Sequence, residues 1–282
     1  MIKPVLQTFL DKPPALDSCD YKVFSAPLDI TTSYRRGTRF GPASIRRESS
    51  YMETFSHRTN LDWDDLKLAD IGEVECPDIE TALNSIEKTV ESIDALPIML
   101  GGEHTVTLGA LRALKPDLVL VFDAHLDLRD ELFGERFCHA TFLRRAYEEL
   151  GFSALIIGAR ALSREEVDFA DKKEDLRWVS AKTVMEEKKA IINQVIGEIE
   201  KVNSFYLSVD MDALDPAYSP GVGNPYPEGL STACLMDIIK ESVNEKLVGL
   251  DIVEVYPGYD NGTTASTAAY IILETLYSHI NK

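Results

Sequence analysis

Short runs of consecutive apolar residues recur along the chain from Val23 to Ile280, and stretches with apolar positions every three to four residues separate them. The uninterrupted runs predict buried strands over residues 23–26, 97–100, 118–122, 154–157, 177–179, 205–209 and 248–253. The amphipathic stretches predict helices over residues 42–52, 79–93, 105–114, 140–150, 181–200, 232–243 and 263–280. Strand and helix in alternation imply an α/β fold with a mainly parallel sheet, because parallel neighbours need long crossovers that cover both sheet faces. No Pro/Gly/Ser-rich stretch, repeat or low-complexity tract divides the pattern. One domain over residues 1–282 is therefore expected, and 282 residues at 45% hydrophobic composition can fill one large core.

In open parallel sheets ligands gather beyond the carboxyl ends of the strands, so the residues just after each apolar run are the ones to inspect. Asp123-Ala-His125-Leu-Asp127 follows the run 118–122, and Asp210-Met-Asp212 follows 205–209. A segment that stays extended points residues two apart to one face, which would bring each cluster to one edge of the sheet. Buried carboxylates must pair, protonate or bind a cation, and no Lys or Arg interrupts either cluster. A third run, over 97–100, leads into Gly101-Gly-Glu-His104. Four aspartates and two histidines make an oxygen-dominated set that suits manganese better than a thiolate zinc site. Six ligands are too many for one ion with an open position, and two divalent ions sharing bridging carboxylates, about 3.5 to 4 Å apart, use them all. Taken singly, a D-x-D is usually a turn or cap, and His104 is more often a cap or core histidine. Three clusters after three strands make those readings poor.

Charge and cysteines narrow the partners. A net charge of −18 repels phosphate backbones, and no basic cluster with interleaved aromatics offsets it, so nucleic acid is not expected. The four cysteines, Cys19, Cys76, Cys138 and Cys234, lie far apart with no C-x-x-C pair, which fits a reducing cytoplasm. The first residues carry no long apolar segment, and no apolar run approaches the ~18 to 20 residues of a membrane span. A soluble, unprocessed, cytoplasmic protein is expected.

These clusters resemble the ureohydrolases, the family of arginases, agmatinases and their relatives. The resemblance runs through Gly101-Gly-Glu-His104, Asp123-Ala-His-Leu-Asp127 and Ser208-Val-Asp210-Met-Asp212-Ala-Leu-Asp215-Pro216. It continues in Ser219-Pro-Gly-Val-Gly-Asn-Pro225, Asp251-Ile-Val-Glu254-Val-Tyr-Pro257 and the N-terminal Arg36-Gly-Thr-Arg-Phe-Gly-Pro-Ala-Ser-Ile-Arg46. It implies a three-layer α/β/α sandwich, two Mn2+ per chain and assembly into trimers or hexamers. It also implies that His104 and Asp127 complete the shell of one ion and His125 and Asp212 that of the other, with Asp123 and Asp210 bridging. Glu254 would hold the substrate guanidinium, Asp127 would carry a proton to the leaving nitrogen, and His139 would bind at the mouth and shuttle protons.

The implied reaction is release of urea from a small cationic guanidino compound. Between the D-x-H-x-D and His139, the stretch Leu128-Arg-Asp-Glu-Leu-Phe-Gly-Glu-Arg-Phe-Cys138 looks like the agmatinase pattern and lacks the arginase loop that holds an amino acid's polar end. Agmatine, cleaved to putrescine and urea, is therefore the expected substrate, with an arginase or guanidinobutyrase-type activity as the alternative. Val222, Asn224, Glu228, Tyr256 and Cys138 depart from the commonest family residues and bear on substrate identity. A non-catalytic relative would have lost a ligand, and a deacetylase-type amidase would not keep both the second ligand set and Glu254.

Overall fold

A computed structural model of the chain describes residues 2–13 and 18–281. Among the described residues the strands are β1 (Ile2–Lys3), β2 (Tyr21–Ala26), β3 (Leu68–Val74), β4 (Leu96–Gly101), β5 (Leu118–Phe122), β6 (Ser153–Ala159), β7 (Leu176–Ser180), β8 (Phe205–Asp210) and β9 (Leu247–Val253). The helices are α1 (Gly41–Ser49), α2 (Ile79–Glu91), α3 (Thr107–Leu114), α4 (Phe142–Leu150), α5 (Arg164–Ala170), α6 (Ala181–Glu200), α7 (Thr232–Ser242) and α8 (Thr263–Ile280). None of them is long and apolar enough to cross a membrane.

The strands form one sheet in the order β1-β3-β2-β4-β9-β8-β5-β6-β7. Every pairing is parallel except the antiparallel edge pair β1–β3. The period of two explains why central strands read as unbroken apolar runs: Leu118, Leu120 and Phe122 of β5 enter one core, while Val119 and Val121 enter the other. The first core is covered by α1, α6, α7 and α8 through residues such as Ile45, Val195, Leu235 and Ile272. The second is covered by α2, α3 and α4 through Ile86, Leu111 and Leu143. The result is the three-layer α/β/α sandwich expected.

The main differences from the predicted elements lie at β3, α5 and β1. Strand β3 carries Asp70, Gly72 and Glu73, which break the apolar run. Asp70 is buried because Arg46 of α1 clasps it in two bonds, of 2.7 and 2.9 Å. Gly72 sits at a bulge with φ 113°, where a Cβ would lie 2.1 Å from the Lys3 carbonyl. Helix α5, seven residues long, is too short for periodicity to register, and it forms on a capping box between Ser163 and Glu166. Strand β1 has only two residues.

The order of the strands positions the site. The chain lays down β2 to β4, jumps to β5 to β7, and returns to fill the gap with β8 and β9. The carboxyl ends of β4, β9, β8 and β5 thus stand side by side at the reversal of strand order, where open α/β sheets bind ligands.

Candidate active site

Beyond β4, Gly102 N donates to the Ala26 carbonyl at 2.8 Å and Glu103 N to the Leu28 carbonyl at 2.8 Å. A Cβ on Gly102 would lie 2.0 Å from the Leu28 oxygen, so only glycine lets the chain pass here. This path delivers His104 to the floor of a pocket, where its backbone N–H donates to Glu254 Oε1 at 2.7 Å. Glu254 follows β9 directly, in the left-handed region at φ 62°, and its Oε2 accepts from the Tyr256 hydroxyl at 2.8 Å. Asp127 is likewise left-handed, at φ 51°. Such backbones are costly for non-glycine residues and gather at functional sites.

The clusters after β5 and β8 meet by a route the sequence did not predict. An extended segment was expected at both, but β5 stops at Phe122, and residues 211–213 form a 3-10 turn. The cause is local: Asp123 Oδ1 accepts from His125 N at 2.6 Å, and Asp210 Oδ1 accepts from Asp212 N at 2.7 Å. An aspartate that caps the amide two residues on closes a turn in place of a strand.

The turns bring all six predicted side chains together. His104 Nδ1 lies 3.2 Å from Asp123 Oδ2, 3.2 Å from Asp127 Oδ2 and 3.3 Å from Asp210 Oδ2. His125 Nδ1 lies 3.4 Å from Asp123 Oδ1 and 3.1 Å from Asp212 Oδ2. Two sets of donors, His104-Asp123-Asp210 and Asp123-His125-Asp212, each keep their atoms within 4.8 Å of one another and could hold a metal ion. Asp123 belongs to both, with one carboxylate oxygen toward each histidine.

The orientation of His104 tests this fit. Its ring stacks on Phe142, with centroids 4.0 Å apart, and its Nε2 meets Ser208 Oγ at 2.9 Å. Ser208 gives its own proton to Asp251 Oδ1 at 2.6 Å, so it accepts from Nε2–H. Asp251 is fixed in turn by Tyr206 and Thr107. A neutral His104 therefore carries its hydrogen on Nε2 and aims the Nδ1 lone pair at three carboxylates. Nδ1 is buried and makes no hydrogen bond. A buried lone pair facing anions is unfavourable unless a cation stands between them, so the donor set fits a divalent ion.

The electrostatics agree. Burial pushes Asp127 up to about 7, with the Asp123 charge adding, and pushes Glu254 up to about 8, with Glu103 adding. Asp210 is pushed well above the carboxylate range by burial and then by Asp212 and Asp123. Burial disfavours charged His104 and His125, yet neighbouring carboxylates outweigh it and raise both. The pocket holds more negative charge than it can solvate, and protons or metal cations relieve it.

At the mouth, His139 occupies a tight turn in which Thr141 N donates to the Cys138 carbonyl at 3.1 Å. Its Nδ1 lies 3.3 Å from Thr31 Oγ1 and its Nε2 3.3 Å from Ser33 Oγ. Burial first, and the neighbouring His125 and His104 next, lower it to about 4, which leaves a neutral imidazole at pH 7. The cavity measures about 350 Å³ and is lined by His104, His125, Asp127, Asp210, Asp212, Glu254, His139 and, toward solvent, Ser33, Arg129, Phe133 and Asn224.

Sequence reasoning missed the residues that support these groups. Ser208 and Asp251 stood inside quoted motifs, but nothing in a sequence says that they hold an imidazole. Tyr256, noted only as a departure, bonds Glu254. Glu228, where glycine is frequent, sits at φ 63°. Arg160 went unremarked, and its Nη2 ties the Asp212 carbonyl at 2.8 Å to the Tyr226 carbonyl at 2.8 Å.

The sequence profile of the arginase family matches residues 19–277. The chain is similar to the guanidinobutyrase of Pseudomonas aeruginosa, with 39% identity over 286 residues, 95% of this chain and 88% of that protein. It is similar to the agmatinase of Pyrococcus horikoshii, with 37% identity over 264 residues, 91% of each. Its fold is similar to the crystal structure of the agmatine ureohydrolase of Thermoplasma volcanium, with a TM-score of 0.88 and 35% identity, covering 98% of this chain and 95% of that one. Fold, sequence and an agmatinase-like pattern agree: this chain belongs to the arginase family, among its ureohydrolases.

Proposed function

We propose that this chain is a binuclear manganese hydrolase that cleaves agmatine to urea and putrescine. The observation that carries the reading is the pair of donor sets sharing Asp123, with Glu254 on the same pocket floor. His104 and Asp127 would hold one ion, His125 and Asp212 the other, and Asp123 and Asp210 both. A bound pair of divalent ions lowers the pKa of water toward neutrality, which the resonance-stabilised guanidinium carbon requires.

The protein's own groups do the rest. Glu254 accepts charge-assisted hydrogen bonds from the guanidinium, and its bonds from His104 N and Tyr256 hold it in place for that task. As water adds to the guanidinium carbon, Asp127 takes up its proton and passes it to the leaving nitrogen, and the C–N bond breaks as the tetrahedral carbon collapses to urea and amine. His139, neutral at the mouth, exchanges protons between solvent and the product amine. The trimer or hexamer and the cytoplasmic setting expected from the sequence belong to this proposal too.

A guanidino acid is the second reading, favoured by one residue. Arg129 lines the mouth and, among the described residues, reaches a carboxylate only at 3.9 Å, at Glu166, whereas Asp130 is engaged by Arg136, Arg144 and Arg145. An arginine so placed can clamp a substrate carboxylate. Urea release from agmatine, arginine and 4-guanidinobutyrate in one Mn2+ buffer, with bound metal counted, separates the readings. Agmatine should lead in kcat/KM by roughly a hundredfold, the order that desolvating an unpaired carboxylate costs. A carboxylate-bearing substrate in the lead moves the assignment to guanidino acids. No urea from any of the three sinks the hydrolase reading, and one ion per active chain at saturation sinks the binuclear one.

A further inference from the structure

We infer that Thr31 and Glu103 fix the tautomer of His139, so that Nε2 is the atom that takes up and returns the proton. The inference rests on the proposal that His139 moves protons, and it adds which nitrogen does so and what holds it ready.

Glu103 is fully buried and has four donors. Its Oε2 accepts from Ile30 N at 2.6 Å and Thr31 N at 2.7 Å, and its Oε1 from Thr31 Oγ1 at 2.6 Å and Thr105 Oγ1 at 2.8 Å. The one hydroxyl proton of Thr31 is thereby committed to Glu103. The Thr31 oxygen meets His139 twice, at the backbone N at 3.2 Å and at Nδ1 at 3.3 Å. An oxygen whose proton is engaged elsewhere can only accept, so both nitrogens donate to it and Nδ1 carries a hydrogen.

In a neutral imidazole Nε2 is then bare. Nε2 faces Ser33 Oγ at 3.3 Å, and that oxygen receives Asn224 Nδ2 at 3.4 Å, which leaves the Ser33 proton to point at Nε2. Ser33, Asn224 and His139 all line the cavity. The basic nitrogen thus faces the substrate space and the hydrogen-bearing one faces the protein. When the Nε2 lone pair takes a proton, Nδ1 keeps its own, and the charge on the ring is met through Thr31 by the Glu103 carboxylate. Thr31 and Glu103 are positioning residues. Glu103 immediately precedes His104, so one turn of chain orients a metal-site histidine and the proton-transferring one.

The test uses the full chain loaded with diamagnetic Mg2+ for spectroscopy and with Mn2+ for kinetics. Five histidines make 15N-histidine labelling tractable, with His139→Ala identifying the His139 signals. Wild type should show a protonated Nδ1 and a bare Nε2. Thr31→Val should give a mixture of tautomers and lower kcat about tenfold, less than the ~100-fold a whole acid-base group supplies, with KM and metal content within twofold. Thr31→Ser, which keeps the hydroxyl, should restore both spectrum and kcat. A hydrogen on Nε2 in wild type overturns the inference, and that spectrum decides even if Thr31→Val fails to fold. Unchanged tautomer and kcat in Thr31→Val overturn it as well. Full turnover in His139→Ala removes the proton-transfer proposal itself, a different result from a silent Thr31→Val beside an impaired His139→Ala.

Discussion

The floor and the rim of the pocket are built on opposite plans. On the floor, His104, Asp123, Asp210 and Glu254 are buried, spring from the ends of adjacent strands, and each has at least one fixed hydrogen-bond partner. On the rim, Phe133 is 87% exposed at the tip of a hairpin turn with Gly134, and Arg129, Tyr34 and Tyr226 stand around the mouth. A group whose place is over-determined supports chemistry, since reacting atoms tolerate little misplacement. A group held loosely supports selection, because it can adapt to different tails. The floor is built for chemistry, and the rim for meeting the rest of a substrate.

Substitutions can break this division or sharpen it. Asp123→Asn removes the carboxylate common to both donor sets and should lower turnover at least about 10³-fold, beyond the loss of a single electrostatic donor. Metal analysis should find fewer ions per chain, and full activity with two ions bound would mean that Asp123 bridges nothing. Ser208→Ala keeps every proposed ligand but takes away the acceptor of His104 Nε2–H and one donor to Asp251. Metal affinity, read by titration, should weaken about 10–100-fold, the usual effect of losing such a support. Unchanged affinity would show that Phe142 stacking alone orients the ring. Phe133→Ala should leave kcat and metal content unaltered and move KM by less than about tenfold, since an exposed side chain has little burial to lose. A fall in its kcat as deep as that of Asp123→Asn would erase the distinction between floor and rim.

Legibility follows the same division. The central strands were readable because burial on both faces forces unbroken apolar runs, and the candidate ligands were readable because they sit directly after those runs. The predicted geometry was wrong in one respect: Asp123 and Asp210 cap their own downstream amides, and the side chains converge through turns where extended segments were expected. Strand β3 escaped notice because Asp70 is neutralised by Arg46, more than twenty residues away in sequence, and a one-dimensional pattern cannot register that pairing. The contacts of Ser208, Arg160 and Thr31 stayed hidden for the same reason. A serine that props a histidine looks like any serine until the fold sets them 2.9 Å apart.

The strand order also governs how the molecule is made. Within the sheet, β4 and β5 are joined through β9 and β8, which follow both of them in the chain. Until β8 and β9 are in place the chain can form two partial sheets, β1 to β4 and β5 to β7, each with an unpaired apolar edge where the missing strands belong. Closing that gap needs contacts between residues far apart in the chain, which slows folding, and bare edges invite pairing with another copy. The candidate metal pocket lies across the same seam, with His104 on one side, His125 on the other and Asp210 in the inserted pair. The pocket therefore exists only once that gap is closed, and a metal bound there would favour the closed sheet over the open one by mass action.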